Sequence, residues 1–215
     1  MDYPFFIGKL FDTTAEELAH LQRTVEQSDY APSTYFFKQK HIDTGRIPVE
    51  QLPVTMLDRL ESLGLMRSQL VSSACNIVRP NGVVFDHSDI EGDWPNSYRK
   101  AHRHIVHIPV YNAGAAYAHR RSRSEKEIRI RMELGSVYLF NNYAPHAVYN
   151  IGAPRYNILL DYEDLDWSVK DHLMAQFKVT VPERYQAKRI NLYPVIGGEP
   201  LQPIQTSPLA VGSMT

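Results

Sequence analysis

A single cysteine, Cys75, stands among the 215 residues, so no internal disulfide can form, which fits a reducing compartment. Positive charge is not in excess either. There are 23 Lys and Arg against 24 Asp and Glu, a formal net charge of −1. A general polyanion binder draws its affinity from surplus Lys and Arg, so nucleic acid is not an expected partner. No run approaches the ~20 apolar residues that span a bilayer. The first residues, Met1 to Ile7, lack the basic and long apolar regions of a secretory signal. A soluble cytoplasmic protein with no membrane partner is expected. Fixed-period repeats and heptads are absent too, which excludes a solenoid or a coiled coil.

What is present is enough for one globular domain. It is expected over residues 1–190, with an irregular tail at 191–215 that carries Gly197-Gly198 and several prolines. Thr14 with Glu17 three positions on predicts a capped helix, with Leu18, Leu21 and Val25 on one face. Pro53 opens a second helix bearing Leu57, Leu60 and Leu63, and Gly64 stops it. Between them Tyr35-Phe36-Phe37-Lys38 reads as a strand and Asp43-Thr44-Gly45 as a turn.

From about residue 70 the texture changes. Short runs rich in Val, Ile, Tyr and Phe alternate with turn residues, the mark of a β-sandwich or barrel. Strands are expected at Ala74–Val78, Val83–Phe85, Arg103–Tyr111, Glu127–Met132, Ser136–Phe140, Ala147–Asn150 and Tyr156–Tyr162. Turns are expected at Pro80-Asn81-Gly82, Leu134-Gly135 and Ile151-Gly152-Ala153-Pro154.

Within this region His87-Ser88-Asp89 is the first candidate for chemistry. Residues i and i+2 of a strand point the same way, so one short segment can supply two ligands to an ion. Two imidazoles and one carboxylate on one face of an octahedron leave three positions open, which suits non-haem Fe(II). The motif alone is weak, because His41-Ile42-Asp43 supplies a second His-x-Asp. Context separates the two. His87 follows the apolar run Val83-Val84-Phe85, and downstream a strand ends in a short loop before His146 opens the next strand. Arg155 then enters the apolar strand Tyr156-Asn157-Ile158-Leu159-Leu160. A buried guanidinium needs a partner, and its planar fork matches a carboxylate. A salt bridge to Asp161 or another acid is the structural alternative to an anionic co-substrate.

The segment from about Asn76 to Tyr162 resembles the aspartyl/asparaginyl β-hydroxylase-like branch of the Fe(II)/2-oxoglutarate-dependent dioxygenases. Three stretches carry the resemblance: Pro80-Asn81-Gly82 leading to His87-Ser88-Asp89, His104-Ile105-Val106-His107-Ile108-Pro109-Val110, and Gly135 through Phe140 and Pro145-His146 to Arg155. They cover under half of the chain. The resemblance implies a mainly β fold with flanking helices, a double-stranded β-helix of the jelly-roll or cupin-like kind. It implies Fe(II) on His87, Asp89 and His146, 2-oxoglutarate as co-substrate with its distal carboxylate on Arg155, and O₂ as oxidant. It also puts His107 near the co-substrate. The family usually has an arginine two residues before this histidine; here Ile105 stands there, and Arg103, one pleat back, is the substitute. Asn157 matches a position that often helps to hold the co-substrate carboxylate. Asp89 leaves no place for a metal-bound halide, so hydroxylation rather than halogenation is expected.

Around the site, Trp94 and Tyr98 lie in the loop after the first two ligands and are candidate lid residues over a substrate. The basic stretch His119 to Lys126 reads as a solvated hairpin tip or as a clamp for a substrate anion. In the next strand Arg129 and Arg131 alternate with Ile128, Ile130 and Met132, and become substrate anchors if the charged face turns inward. The expected substrate is a small amino-acid-like or peptide-like molecule, hydroxylated at a C–H bond with release of succinate and CO₂. The rival readings are a non-redox metal-binding jelly-roll and a cupin enzyme that needs no co-substrate.

Overall fold

The computed structural model describes residues 7–33, 39–87, 102–112, 116–120, 127–140, 146–150 and 152–163. Tyr35–Lys38 and the tail at 191–215 fall outside them. Among the described residues no helix is long and apolar enough to cross a membrane.

The chain opens with strand β1 (Ile7–Asp12) and helix α1 (Ala15–Glu26). The capping box is formed as expected. Thr14 accepts from the Glu17 amide at 3.1 Å, and the Glu17 carboxylate accepts from the Thr14 amide at 2.8 Å. The short strand β2 (Ala31–Pro32) and β3 (Gln39–Ile47) follow, and then helix α2 (Val54–Ser62). Gly64, at φ 89°, ends α2 with the paired bonds Leu65 N to Leu60 O and Gly64 N to Glu61 O, an arrangement that needs a residue free to turn left-handed.

The remaining strands are β4 (Leu70–His87), β5 (His102–Tyr111), β6 (Ala116–Arg120), β7 (Glu127–Arg131), β8 (Ser136–Phe140), β9 (His146–Asn150) and β10 (Arg155–Tyr162). They run antiparallel in the order β1-β8-β5-β10-β4-β9-β6-β7, with β3 alongside β4. Strand β4 belongs to both halves. Leu70 to Val78 pair with β10, and Gly82 to His87 pair with β9.

Two segments expected as turns are strand. Pro80-Asn81-Gly82 does not close a turn between two strands; it bends one continuous strand from one half-sheet into the other. Gly82 is required there, because an added Cβ would lie 2.7 Å from the Arg79 carbonyl and 2.9 Å from that of His41. Asp43-Thr44-Gly45 is also strand, inside β3, where Gly45 lets the backbone pass against Asp29 and the ring of Tyr30.

Two apolar layers result. Leu21 and Val25 of α1 and Met56, Leu57 and Leu60 of α2 pack on the outer face of the first half-sheet, against Val106, Ile108, Leu139, Ile158 and Leu160. Each such buried side chain contributes roughly 1.5–3 kcal/mol. The second layer lies between the halves: Val78, Val84, Met132, Tyr138, Phe140 and Val148. Because it joins side chains from both half-sheets, the halves face each other across it.

Glu17 ties the helices together. Its carboxylate accepts from Thr55 Oγ1 at 2.6 Å and pairs with Arg59. Burial pushes its pKa up, but the Thr55 hydroxyl, the Thr14 amide and the Arg59 cation outweigh that and hold it below the usual carboxylate range. A lowered folded pKa adds stability above the unfolded value and loses it as pH falls through the folded one. Glu17→Gln is therefore expected to cost about 1–3 kcal/mol in urea denaturation at pH 7, with the gap to wild type closing below about pH 4. A gap that is constant from pH 7 to pH 3 would show that the charge contributes nothing.

Candidate active site

The mouth of the barrel is organised by register. In β4 and β9 the Cα partners run Gly82 with Asn150, Val83 with Tyr149, Val84 with Val148, and, after a bulge, His87 with His146. The two histidines picked out from sequence are thus direct cross-strand partners. The bulge matters, because without that extra residue His87 would not be the partner of His146. Asp89 lies two residues beyond the described end of β4, and Trp94 and Tyr98 also lie outside the described residues. The donor set of two imidazole-bearing positions side by side and a carboxylate two residues on fits a six-coordinate divalent ion of the iron type.

The competing His-x-Asp is accounted for differently. His41 sits at the bulge of β3 with φ 56°, exposed, and Asp43 is buried in an ion pair with Arg79 at 2.5 Å.

Deeper in the barrel lie Arg155, Asn157 and His107. Arg155 opens β10 opposite Val78 and is 1% exposed; its Nη2 donates to the Met132 sulfur at 3.6 Å. Asn157, on the same face one pleat on, is also 1% exposed, and its Nδ2 lies 3.3 Å from His107 Nδ1. The His107 ring stacks on Phe140, with centroids 4.4 Å apart and planes at 30°. The salt bridge to Asp161 does not form. Arg155 and Asp161 stand six residues apart on one strand, about 20 Å at ~3.4 Å per residue, and Asp161 accepts from Ser72 Oγ at 2.5 Å.

Arg155 is placed by the turn before it. Asn150 Nδ2 donates to the Val78 and Ala153 carbonyls, both at 2.8 Å, and its Oδ1 accepts from Gly152 N at 3.1 Å. This buried amide fastens the β9–β10 turn to β4, and so sets where β10 starts. Cys75, in the outer layer opposite Ile158, takes no part as a nucleophile, since burial pushes its thiol up to about 11 and keeps it protonated at neutral pH.

Not every candidate converges. Arg129 stands opposite Ala118 and Arg131 opposite Ala116. Ala118 in turn faces Ala147, and Ala116 faces Tyr149. These rows alternate along the sheet with those of His146 and Val148. Arg103 was placed with His107 by simple alternation. Arg103 lies between His102 and Val106, where the register of β5 with β10 shifts. One position went unnoticed. His119, read as part of a basic stretch, is in β6 directly opposite His146. The alternation of Ala116 and Ala118 with Tyr117 and His119 was the available signal, masked by the arginines that follow.

No protein-family model and no curated protein matches the sequence. Solved structures do, in 72 chains. HygX from Streptomyces hygroscopicus, solved with nickel, 2-oxoglutarate and hygromycin B, aligns with TM-score 0.54 at 9% identity over 75% of this chain and 83% of that one. A 2OG-Fe(II) oxygenase family oxidoreductase from Burkholderia pseudomallei aligns with TM-score 0.52 at 15% identity, over 70% and 80%. A Pseudomonas putida prolyl-4-hydroxylase aligns with TM-score 0.51 at 15% identity, over 74% and 91%. At such identities the likeness is one of architecture: the chain has the double-stranded β-helix fold that these oxygenase structures share.

Proposed function

We propose that the protein is an Fe(II)- and 2-oxoglutarate-dependent oxygenase that hydroxylates a C–H bond of a small amino-acid-like or peptide-like substrate. The observation that carries this reading is Arg155, a guanidinium 1% exposed inside an apolar barrel whose mouth sets His87 beside His146. The planar fork of a guanidinium at that depth suits the two oxygens of a carboxylate. HygX, which shares the fold, holds nickel and 2-oxoglutarate. Within the oxygenases, the motifs around His87, His107 and His146 favour the aspartyl/asparaginyl β-hydroxylase-like branch.

In this reading His87, Asp89 and His146 hold the metal, and Arg155 takes the distal carboxylate of 2-oxoglutarate. The iron, with O₂, supplies the oxidising chemistry when bound. The chain's own part is binding and orientation. Arg155 fixes one end of the co-substrate, His107 offers a ring N–H beside it, and the layer formed by Val78, Val84, Met132, Phe140 and Val148 keeps water from the pocket. Trp94 and Tyr98 follow Asp89 closely in sequence and are assigned to the substrate side. The catalytic domain extends to about residue 190, and the lone cysteine fits a cytoplasmic setting.

The test is conversion of 2-oxoglutarate to succinate by the purified protein with Fe(II) and ascorbate, followed with and without O₂. Succinate formed only with both Fe(II) and O₂ is expected. Tight metal binding with no succinate across a panel of free amino acids, short peptides and their derivatives would favour a metal-binding jelly-roll without redox turnover.

A further inference from the structure

We propose that Asn157 is a positioning residue that acts through His107, its side-chain amide setting which ring nitrogen of His107 carries the proton. The inference rests on the co-substrate reading for its catalytic meaning, but the proton's position is measurable without it.

Two neighbouring strands bring the pair together. On β10 and β5, Asn157 is the partner of Pro109 and Leu159 that of His107, so Asn157 and His107 are diagonal neighbours on one face. Both are buried, at 1% and 5% exposure, and Asn157 Nδ2 lies 3.3 Å from His107 Nδ1. The Phe140 ring stacked at 4.4 Å holds the imidazole plane. Turning the ring over would exchange Nδ1 for a carbon and lose the bond.

An amide NH₂ can only donate. The nitrogen that receives it must present a lone pair, so the His107 proton resides on Nε2. The opposite arrangement needs the amide reversed, with Oδ1 accepting from an Nδ1–H. Arg155 argues against that, because it stands one pleat away on the same face of the same strand. With NH₂ given to His107, the amide oxygen is turned away from the ring; reversal would exchange that oxygen for two N–H donors on the strand that carries the cation. The charge therefore favours the amide orientation that leaves Nδ1 as acceptor. The site then holds one fixed cation and one neutral N–H donor, a pair suited to an oxygen-rich anion. Sequence matching had assigned Asn157 to the co-substrate directly; the geometry assigns its NH₂ to His107.

The experiment uses the full chain with ¹⁵N-labelled histidine. Long-range ¹H–¹⁵N spectra identify the protonated nitrogen of each ring, and the His107 signals are assigned by their loss in His107→Gln. The wild type is expected to show Nε2–H at His107. Asn157→Asp replaces the donor by an acceptor and is expected to move the proton to Nδ1, with folding checked by circular dichroism. An Nδ1–H wild type, or an unchanged tautomer in folded Asn157→Asp, would overturn the proposal. Should that variant fail to fold, the wild-type spectrum remains decisive. Coupling to the site is read from 2-oxoglutarate affinity in the presence of Ni(II), a redox-silent stand-in. Asn157→Leu is expected to weaken it at least fivefold when His107 is present and less than twofold in a His107→Leu background. Equal losses in the two backgrounds would mean that Asn157 does not act through His107. If the wild type binds no 2-oxoglutarate under any condition, the proposed function fails while the tautomer result still stands.

Discussion

Arg155→Ala is expected to bind Ni(II) as the wild type does, yet to lose 2-oxoglutarate affinity by a factor of roughly 30 or more. The magnitude follows from truncating one partner of a buried, hydrogen-bonded charge pair, about 2–5 kcal/mol. The direction follows from depth. At 1% exposure, Arg155 lies where water cannot take over the screening of a carboxylate. Arg155→Lys should recover only part of the loss, because a point charge on a flexible stem cannot reproduce a bidentate fork. Isothermal titration with 2-oxoglutarate and then with succinate separates charge recognition from the keto-acid end. Unchanged 2-oxoglutarate affinity in a folded Arg155→Ala protein would make the arginine structural and remove the main support for the oxygenase reading.

The largest effect is expected at the metal. His87→Ala and His146→Ala should each weaken divalent metal binding at least 100-fold, more than the 10–100-fold typical of losing an outer-shell partner, and should abolish succinate formation. Asp89→Gly should behave in the same way toward metal while leaving the Arg155 pocket folded. The controls are at the other His-x-Asp. His41 is at φ 56°, so asparagine, which tolerates that conformation, is the substitution of choice. His41→Asn is expected to match wild type in metal affinity and turnover. Asp43→Gly removes the ion pair with Arg79 and is expected to cost stability without touching metal affinity. Wild-type metal binding in folded His146→Ala would exclude the three-residue site, and loss in His41→Asn would point to the wrong pair of strands.

How far the chain could be read in advance depended on how local each signal was. The Thr14 capping box and the Gly64 stop act within one helical turn, and both formed as expected. The strands Ser136–Phe140 and Tyr156–Tyr162 were legible because both of their faces are covered, which leaves nearly continuous apolar runs. The Pro80-Asn81-Gly82 segment misled, since the composition of a turn also suits a strand that must bend between two sheets. Strands β1 and β6 were missed. Ile7–Asp12 and Ala116–Arg120 are short, and only distant partners make strands of them. At the site, the residue types and their order were readable. The pairing of His87 with His146, the engagement of Asn157 by His107 and the partners of Arg129 and Arg131 were not, because each follows from a bulge or a register.

The pairing of β1 with β8 has a consequence for synthesis. Ile7 meets Phe140, Gly8 meets Leu139 and Asp12 meets Ser136, so the first described strand to leave the ribosome must wait for one of the last. Until then β1 has no ladder to join. Once β8 has joined β5, its free edge is open to any strand of suitable shape, including one from a second nascent chain. Long-range closure of this kind is slow. Folding yield, more than final stability, is therefore what changes within Ile7–Asp12 would first reduce, and bulky fusions placed before β1 would compete with the closing step.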